Sequence, residues 1–320
     1  MNLPRFLFCS LALMALTTPV HAQTGAGLVQ SPWQGESRTE VAGGVYWYDE
    51  ADIDDTDNDL DLMRYETRGR YRSETSGHGD ELRFGYDLLH LDLHTSDPML
   101  PERLTDVSLA TSWTRALDQG RSVGGVAGIG YAGDAPFGEG DAVYFQGDLI
   151  YDQPLSEQSK LTFTLNYHGN RTIWPDVPLP LVSYTRRASD ELIYTIGVPF
   201  TSFRWQPMER LTVTATYLPV VTVDARVEYE LNEAWRIFGQ FDNVNDPFVV
   251  DGNEDRRLFF RQRRLEAGVR YLPSERVEWT FAAGYAFDQE FERGWDVRDT
   301  DTVRELDDTP FVRAAVGFRF

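Results

Sequence analysis

The chain of 320 residues carries 51 acidic and 30 basic residues, which gives a formal net charge of −21. A nucleic-acid binder needs a basic face for the phosphates, so this charge argues against that class. Cys9 is the single cysteine, which excludes a disulfide framework and a cysteine-rich zinc site. With 42% hydrophobic and 13% aromatic residues the chain is too apolar for an acidic disordered protein. We expect a folded protein, and nothing in the composition predicts a cofactor.

Residues 1–22 predict an export signal. A basic start is followed by the apolar run Phe6–Leu16 and then by small residues that end at Ala22. The apolar run is too short to span a bilayer as a helix. We therefore expect cleavage after Ala22.

Beyond residue 38 the chain alternates apolar and polar side chains in segments separated by Gly, Pro, Asp, Asn and Ser. In Val221–Leu231, for example, Val, Ala, Tyr and Leu fall on one face, and Thr, Asp, Arg and Glu fall on the other. A period of two is typical of β-strands with one apolar face. Fourteen strands are predicted, at about 38–48, 61–73, 81–93, 105–117, 121–132, 142–153, 159–168, 191–205, 209–217, 220–231, 234–242, 256–272, 276–289 and 310–320.

The number and length of these strands predict a transmembrane antiparallel up-and-down β-barrel. Fourteen strands are too many for a typical sandwich of roughly seven to nine strands. They suit membrane-spanning strands of about 9–11 residues. Connections are alternately long and short, with 218–219 as the one exception. If 200–219 is instead a hairpin inside the lumen, the wall has twelve strands. We favour fourteen, with 23–37 as a periplasmic N-terminal segment and 38–320 as the barrel.

The last strand carries the pattern of an insertion signal. Val316, Phe318 and Phe320 alternate with polar or small residues, which resembles the signal read by the outer-membrane barrel assembly machinery. A lipid-facing final strand also has to pair with the first, because hydrocarbon leaves no edge solvated. We expect an outer-membrane location with membrane lipid, lipopolysaccharide and the assembly machinery as partners. A soluble secreted β protein that binds a ligand is the alternative.

Several short segments resemble an uncharacterised family of bacterial outer-membrane β-barrel proteins. The resemblance extends over the mature chain and is most specific from residue 191 to residue 320. It implies the fold and the location, and it carries over no activity and no catalytic residue. The segments are Gly197–Pro199, Arg204–Pro207, Tyr217–Pro219, Val227–Leu231 and Gly284–Phe287.

The charged faces of the strands predict a charge network in the lumen. If the apolar faces meet lipid, the period of two directs the other faces inward. Opposite charges confined there should pair, because isolated charges are costly. The predicted lumen residues are Arg64, Glu66, Arg68, Arg70, Arg72, Asp224, Arg226, Glu228, Glu230, Arg236, Glu266, Arg270 and Glu278.

An acidic outer loop follows the first strand. Its carboxylates should concentrate cations at the outer opening, with an effect that salt screens. The spacing of Asp55, Asp57, Asp59 and Asp61 with Glu66 is similar to that of a calcium loop, but Leu60 stands where the tight-turn glycine is required and Glu66 already lies in a predicted strand. No metal site is therefore predicted, and a loosely cation-binding loop and a merely solvated loop both stay open. The loop residues are Asp52, Asp54, Asp55, Asp57 and Asp59.

No catalytic residue is predicted. His94–Asp97 contains the residue types of a hydrolase, so a barrel enzyme acting on lipid or peptide is one alternative function. The arginines of 256–264 would either grip phosphates of lipopolysaccharide or pair with acidic loops. We favour a passive role, either a narrow porin-like channel or a structural barrel with acidic outer loops.

Overall fold

The computed structural model describes residues 25–31, 33, 37–75, 80–135, 138, 140–218, 222–250 and 253–320. The predicted signal peptide, the turn around His78 and the connection at Pro219 lie outside the described residues.

The alternating segments form β-strands, and a short helix, α1 (Gly25–Gln30), precedes them. The strands are β1 (Thr39–Tyr48), β2 (Ala51–Asp52), β3 (Asp59–Arg72), β4 (Asp80–His94), β5 (Arg103–Ala116), β6 (Ser122–Gly133), β7 (Val143–Ser156), β8 (Ser159–His168), β9 (Leu179–Arg187), β10 (Leu192–Val198), β11 (Thr201–Met208), β12 (Leu211–Leu218), β13 (Thr222–Glu230), β14 (Trp235–Phe248), β15 (Arg257–Ser274), β16 (Val277–Gly294), β17 (Thr300–Leu306) and β18 (Thr309–Arg319).

The strands form a closed antiparallel barrel. Neighbouring wall strands pair in chain order, and β1 pairs with both β3 and β18, which closes the sheet. The short strands β2 and β17 lie in connections above the wall, so the described part of the chain contributes sixteen wall strands. The predicted barrel is confirmed. The preferred count of fourteen strands is wrong, and so is the alternative of twelve.

Two local differences account for the strand count. The segment 169–190 was predicted as a loop, but it contains β9, which pairs with β8 and β10. The predicted strand 191–205 is two strands, β10 and β11, separated at Pro199. Strands β11 and β12 lie in the wall and pair with β10 and β13, so 200–219 does not fold into the lumen.

Apolar side chains cover the outside of the barrel. The outward residues of many strands keep large exposed fractions, such as 57% for Leu109, 66% for Leu149 and 50% for Phe281. Exposed aromatic residues stand near both ends of the strands, among them Trp113, Trp279 and, at the other end, Trp47. Such a belt with aromatic rims is typical of strands that face lipid.

The wall is lower on one side. We call the end where β1 begins and β18 ends the lower end, and the opposite end the upper end. Strands β9–β13 have seven to nine residues, whereas β15 and β16 have 18 each. A strand needs about 9–11 residues to cross the apolar layer of a membrane. The short strands β9–β13, which we call the low wall, therefore end near the upper boundary of that layer.

Opposite the low wall, the upper part of the barrel is filled. Leu91, Leu104, Phe260 and Phe291 belong to one buried apolar cluster and are fully shielded from solvent. The hairpin of β14 and β15 leans across the upper opening, where Val249 forms a β-bridge with Gly133 of β6. A packed apolar interior of this kind excludes water.

Helix α1 lies inside the lower half of the lumen. Val29 is fully buried and packs against Ala110 and Val126 of the wall. Arg70 donates hydrogen bonds to the carbonyls of Leu28 and Ser31, which fixes the end of the helix. The segment 23–37, predicted as periplasmic, thus contributes its helix to the lumen. Among the described residues, α1 included, no helix has the length and apolar character needed to cross a membrane.

Candidate functional site: the lumen chamber

The lower half of the lumen contains a chamber of about 1820 Å³, lined mostly by charged and hydroxyl-bearing residues. At the lower end it is bounded by turn residues such as Glu74 and Gln158. On the low wall it extends upward past Ser202 and Thr216 to Phe200, in the connection between β10 and β11. The apolar cluster fills the other side, so the chamber lies off the centre of the barrel.

The predicted lumen residues lie on the inner face of the wall. In the upper lumen, Arg64 is 2% exposed and binds Glu66 at 2.6 Å and Asp246 at 2.7 Å. Next to this group, Arg264 donates a bidentate pair of hydrogen bonds to Asp242 at 2.8 and 2.9 Å. Both charged groups lie beneath the apolar cluster and strengthen the filled side.

A second charge network surrounds Glu228 in the lower lumen. Glu228 accepts from Arg226 at 3.1 Å and from Arg270 at 2.6 Å. Arg270 also binds Glu278, which accepts from Arg319 at 2.9 Å. The chain of contacts joins β13, β15, β16 and β18, so it ties together four wall strands on the β18 side of the barrel seam.

The remaining predicted lumen residues have simpler surroundings. Arg236 binds Glu230 at 3.1 Å, and Gln240 donates to Asp224 at 3.1 Å. Glu266 accepts from Arg313 at 2.7 Å.

Towards the lower end of β3, Arg70 binds Glu40 at 2.5 Å. Arg72 donates to the Ser37 carbonyl and lies over the ring of Trp33. Arg68 lines the chamber.

Several charged residues that point into the lumen were not predicted from the sequence. Arg313 and Arg319 alternate with the predicted lipid-facing residues of the last strand, so the same period of two could have identified them. Asp242 ends the predicted strand 234–242 on the same face as Arg236, so the alternation could have identified it as well. Asp246 could not be found in this way, because 243–255 was predicted as a loop and β14 continues to Phe248.

The low wall has a lining of its own. On β9–β12 the residues that line the chamber are mainly hydroxyl-bearing, and Thr185 and Thr195 on β9 and β10 hydrogen-bond each other at 2.9 Å. Three arginines of the low wall also line the chamber, namely Arg187 on β9, Arg204 on β11 and Arg226 on β13. Arg226 was predicted as a lumen residue, whereas Arg187 and Arg204 were not, since β9 was not recognised and 191–205 was treated as one strand.

A chain of hydrogen bonds connects α1 with the upper connection after β8. Gln30 donates to Asp148 at 2.5 Å, and Asn166 donates to the other oxygen of Asp148 at 2.6 Å. Arg171 then donates to the Asn166 side chain at 2.5 Å. The lumenal helix is therefore fixed to the wall by polar contacts as well as by Val29.

The acidic outer loop forms a short hairpin on the filled side of the upper end. Its apolar residues Ile53 and Leu60 point into the buried cluster. The carboxylates of Asp52, Asp54, Asp55, Asp57 and Asp59 are exposed, and they do not line the chamber. Within the described ranges no group of three or more ligand side chains could hold a metal ion.

The candidate hydrolase residues make structural contacts. Ser96 donates to Asn58 at 2.8 Å, and Asp97 accepts from Arg304 at 2.5 Å. Burial opposes the ionisation of Asp97, but the hydrogen bonds from Arg304 and from the Met99 N–H outweigh it and lower the pKa of Asp97 below its usual value. Asp97 thus anchors the connection after β4 to β17, and its carboxylate is already paired with the Arg304 guanidinium.

Most of the arginines of 256–264 have acidic partners. Arg256 binds Asp301 at 3.0 Å, Arg261 binds Glu290 at 2.6 Å, and Arg263 binds Asp288. Arg257 is buried and donates to Asn170 and to the carbonyls of Arg171 and Trp295. These contacts favour pairing within the chain over phosphate binding.

The residues of the predicted insertion signal lie at the barrel seam. Phe318 and Phe320 are exposed on the outside, with their rings stacked at 6.4 Å. The Phe320 backbone accepts from Thr39 at 3.0 Å and donates to the Thr39 carbonyl at 2.9 Å. Val316 pairs with Gly43 across the same seam.

Comparison with known proteins adds a set of remote likenesses in structure. No protein-family model matches the chain, and no curated protein matches it. The fold is similar to that of a Pseudomonas aeruginosa FadL homologue, with 10% identity, 93% of each chain covered and a TM-score of 0.46. It is also similar to the Pseudomonas putida toluene transporter TodX, with 10% identity, 96% of this chain and 94% of that chain covered and a TM-score of 0.41. The Acinetobacter baumannii outer membrane protein Omp33 gives 9% identity, 89% and 98% coverage and a TM-score of 0.36.

Proposed function

We propose that the protein is a narrow channel of the bacterial outer membrane. The observation that carries this proposal is the off-centre chamber of about 1820 Å³ inside a barrel with an apolar outer surface. Exposed rings and aliphatic groups on so many outward positions would be costly in water, whereas lipid accommodates them. The same surface favours a membrane barrel over a soluble ligand-binding protein.

The path of the channel follows the low wall. The apolar cluster and the pairs around Arg64 fill the opposite side of the upper lumen. The polar lining of the chamber instead continues to Phe200, at the upper boundary of the low wall. A solute entering at the lower end would therefore pass Ser and Thr hydroxyls and leave near the connection between β10 and β11.

The wider cellular setting is part of the proposal. Membrane lipid and lipopolysaccharide would surround the barrel, and the assembly machinery would recognise the strand that contains Phe318 and Phe320. Replacing Phe320 with Ala should lower the amount of heat-modifiable barrel in the outer membrane, because the change removes a lipid-facing ring and leaves the backbone pairing with Thr39. The same yield as for the unchanged chain would argue against this signal.

A structural barrel without conductance is the second candidate. It is favoured by the packed apolar cluster at the upper end, which is typical of a static protein interior. The two candidates differ in a simple respect: a channel passes ions along the low wall, and a structural barrel passes none.

Cysteine modification during single-channel recording tests the path. Cys9 is the single cysteine of the sequence, so a thiol introduced together with Cys9→Ala is the one reactive site. Ser202→Cys places this thiol on the chamber lining. We expect a bulky charged thiol reagent to reduce the single-channel conductance, because the attached group occupies the path.

Ser108→Cys is the matched control. Ser108 faces the lumen from β5 on the filled side, and it is 2% exposed. The reagent should leave the conductance of this variant unchanged. Equal block of both variants would contradict a path along the low wall, and the absence of conductance in the unmodified protein would favour the structural barrel.

A further inference from the structure

We infer that Arg187 and Arg204 form a binding site for a small oxyanion, such as a phosphate or a carboxylate, on the low wall of the chamber. This inference rests on the proposed function in one respect, namely that solutes can enter the chamber. It adds the chemical class of solute that the path recognises.

The barrel register places the two arginines side by side. Ile193 of β10 pairs with Arg187 on one side and with Arg204 on the other. Since neighbouring strands lie about 4.8 Å apart, the two Cα atoms are about 10 Å apart. Both side chains line the chamber, so their guanidinium groups can approach one solute between them.

These arginines differ from most of the other cations of the chamber, which bind acidic side chains. Arg70 binds Glu40, Arg270 binds Glu228 and Glu278, and Arg313 binds Glu266. In the described part of the chain, Arg204 has no ion-pair or hydrogen-bond partner for its side chain, and its buried Nε atom is unsatisfied. The nearest acid to Arg187 is Asp190, at 3.9 Å and 94% exposed.

The surroundings also suit an anion. Among the residues that the structure describes, the lining of the chamber contains twelve basic and six acidic side chains. Thr185 and Thr195, in neighbouring positions, hydrogen-bond each other, which leaves one of their two hydroxyl protons free to donate to an oxyanion oxygen. A guanidinium group matches the two oxygens of a carboxylate or phosphate, and charge-assisted hydrogen bonds of this type are strong.

Calorimetric titration of the full chain in zwitterionic detergent tests the site. Inorganic phosphate and succinate are titrated separately into the unchanged protein, Arg204→Gln, Arg187→Gln and Arg276→Gln. Arg276 is an exposed residue of a turn at the lower end, so it controls for the loss of one positive charge. We expect saturable binding of at least one anion, weakened by about tenfold or more in Arg204→Gln and Arg187→Gln and unchanged in Arg276→Gln.

A second measurement does not depend on the arginine variants. Bound phosphate or succinate should slow the reaction of a Thr195→Cys thiol with a charged reagent, because the anion lies over that position. The inference is overturned if neither anion binds saturably, if all three arginine variants bind alike, or if neither anion protects the Thr195→Cys thiol. Because binding is measured in detergent, these outcomes are independent of whether the protein conducts.

Discussion

Single ion pairs in this barrel have separate structural roles, and Asp97 is the clearest case outside the wall. It is shielded from solvent and accepts hydrogen bonds from Arg304 at 2.5 and 3.3 Å and from the Met99 N–H at 2.7 Å. These contacts join the connection after β4 to β17 above the filled side. Loss of the Asp97 contacts should make the upper connections more mobile without separating the wall strands.

We expect Asp97→Asn to destabilise the upper connections by about 1–3 kcal/mol, since a buried charge-assisted contact is lost and Arg304 is left without its anion. Limited proteolysis of protein in liposomes measures the change as faster cleavage. Asp55→Asn is the control: Asp55 is exposed with a φ of 60°, a conformation that asparagine tolerates. Equal cleavage rates in the two variants would contradict the anchoring role of Asp97.

The lowered pKa of Asp97 predicts how this link depends on pH. A carboxyl group whose pKa is lower in the folded state adds stability above its unfolded pKa of about 3.9, and the stability is lost as the pH falls through the folded value. Protease resistance of the upper connections should therefore stay constant near neutral pH and fall only in strong acid. A decrease already at pH 6 would show that another group controls the link.

At the scale of elements, alternation predicted most of the wall, including β12 and β13 of the low wall, and failed on β9–β11. The outward apolar residues have even numbers in 194–198 and odd numbers from Phe203 onward. This change of phase marks the turn at Pro199, although 191–205 was predicted as one continuous strand. Pro175 and Pro178 precede β9 and Pro180 lies in it, a run of prolines that is typical of a loop. Pro180 is near the strand start, however, where a missing N–H is tolerated. The pairings of distant residues in the filled side depend on barrel closure, which no local pattern encodes.

The filled side should depend on β16 as much as on the hairpin of β14 and β15. Phe291 of β16 is fully buried, with its ring stacked on Phe260 at 4.7 Å. Phe291→Ala should therefore cost about 3–5 kcal/mol, because the change leaves a cavity in a packed core. The temperature at which the folded band converts to the unfolded band on a gel reports this loss.

Phe281 provides a matched control on the same strand. It is 50% exposed on the lipid side, so Phe281→Ala removes contacts with lipid and leaves no internal cavity. Its conversion temperature should stay close to that of the unchanged protein. If the two variants convert at the same temperature, the cluster does not contribute the stability that its packing implies.

For the whole molecule, the distribution of charge determines whether the channel prefers cations or anions. The net charge of −21 and the acidic outer loop predict attraction of cations. In the described part of the chain, the chamber lining has twice as many basic as acidic side chains, and the loop carboxylates stand above the filled side, away from the low wall. Because ions respond most to charges beside their path in a confined, weakly screened space, we expect the arginines to dominate.

The reversal potential of the reconstituted protein in a potassium chloride gradient tests this account most directly. We predict a preference for chloride that weakens in the Arg187→Gln, Arg204→Gln double variant and persists when Asp52, Asp54, Asp55, Asp57 and Asp59 are changed to Asn. A preference for potassium that disappears with the loop carboxylates would contradict a path along the arginine-lined low wall.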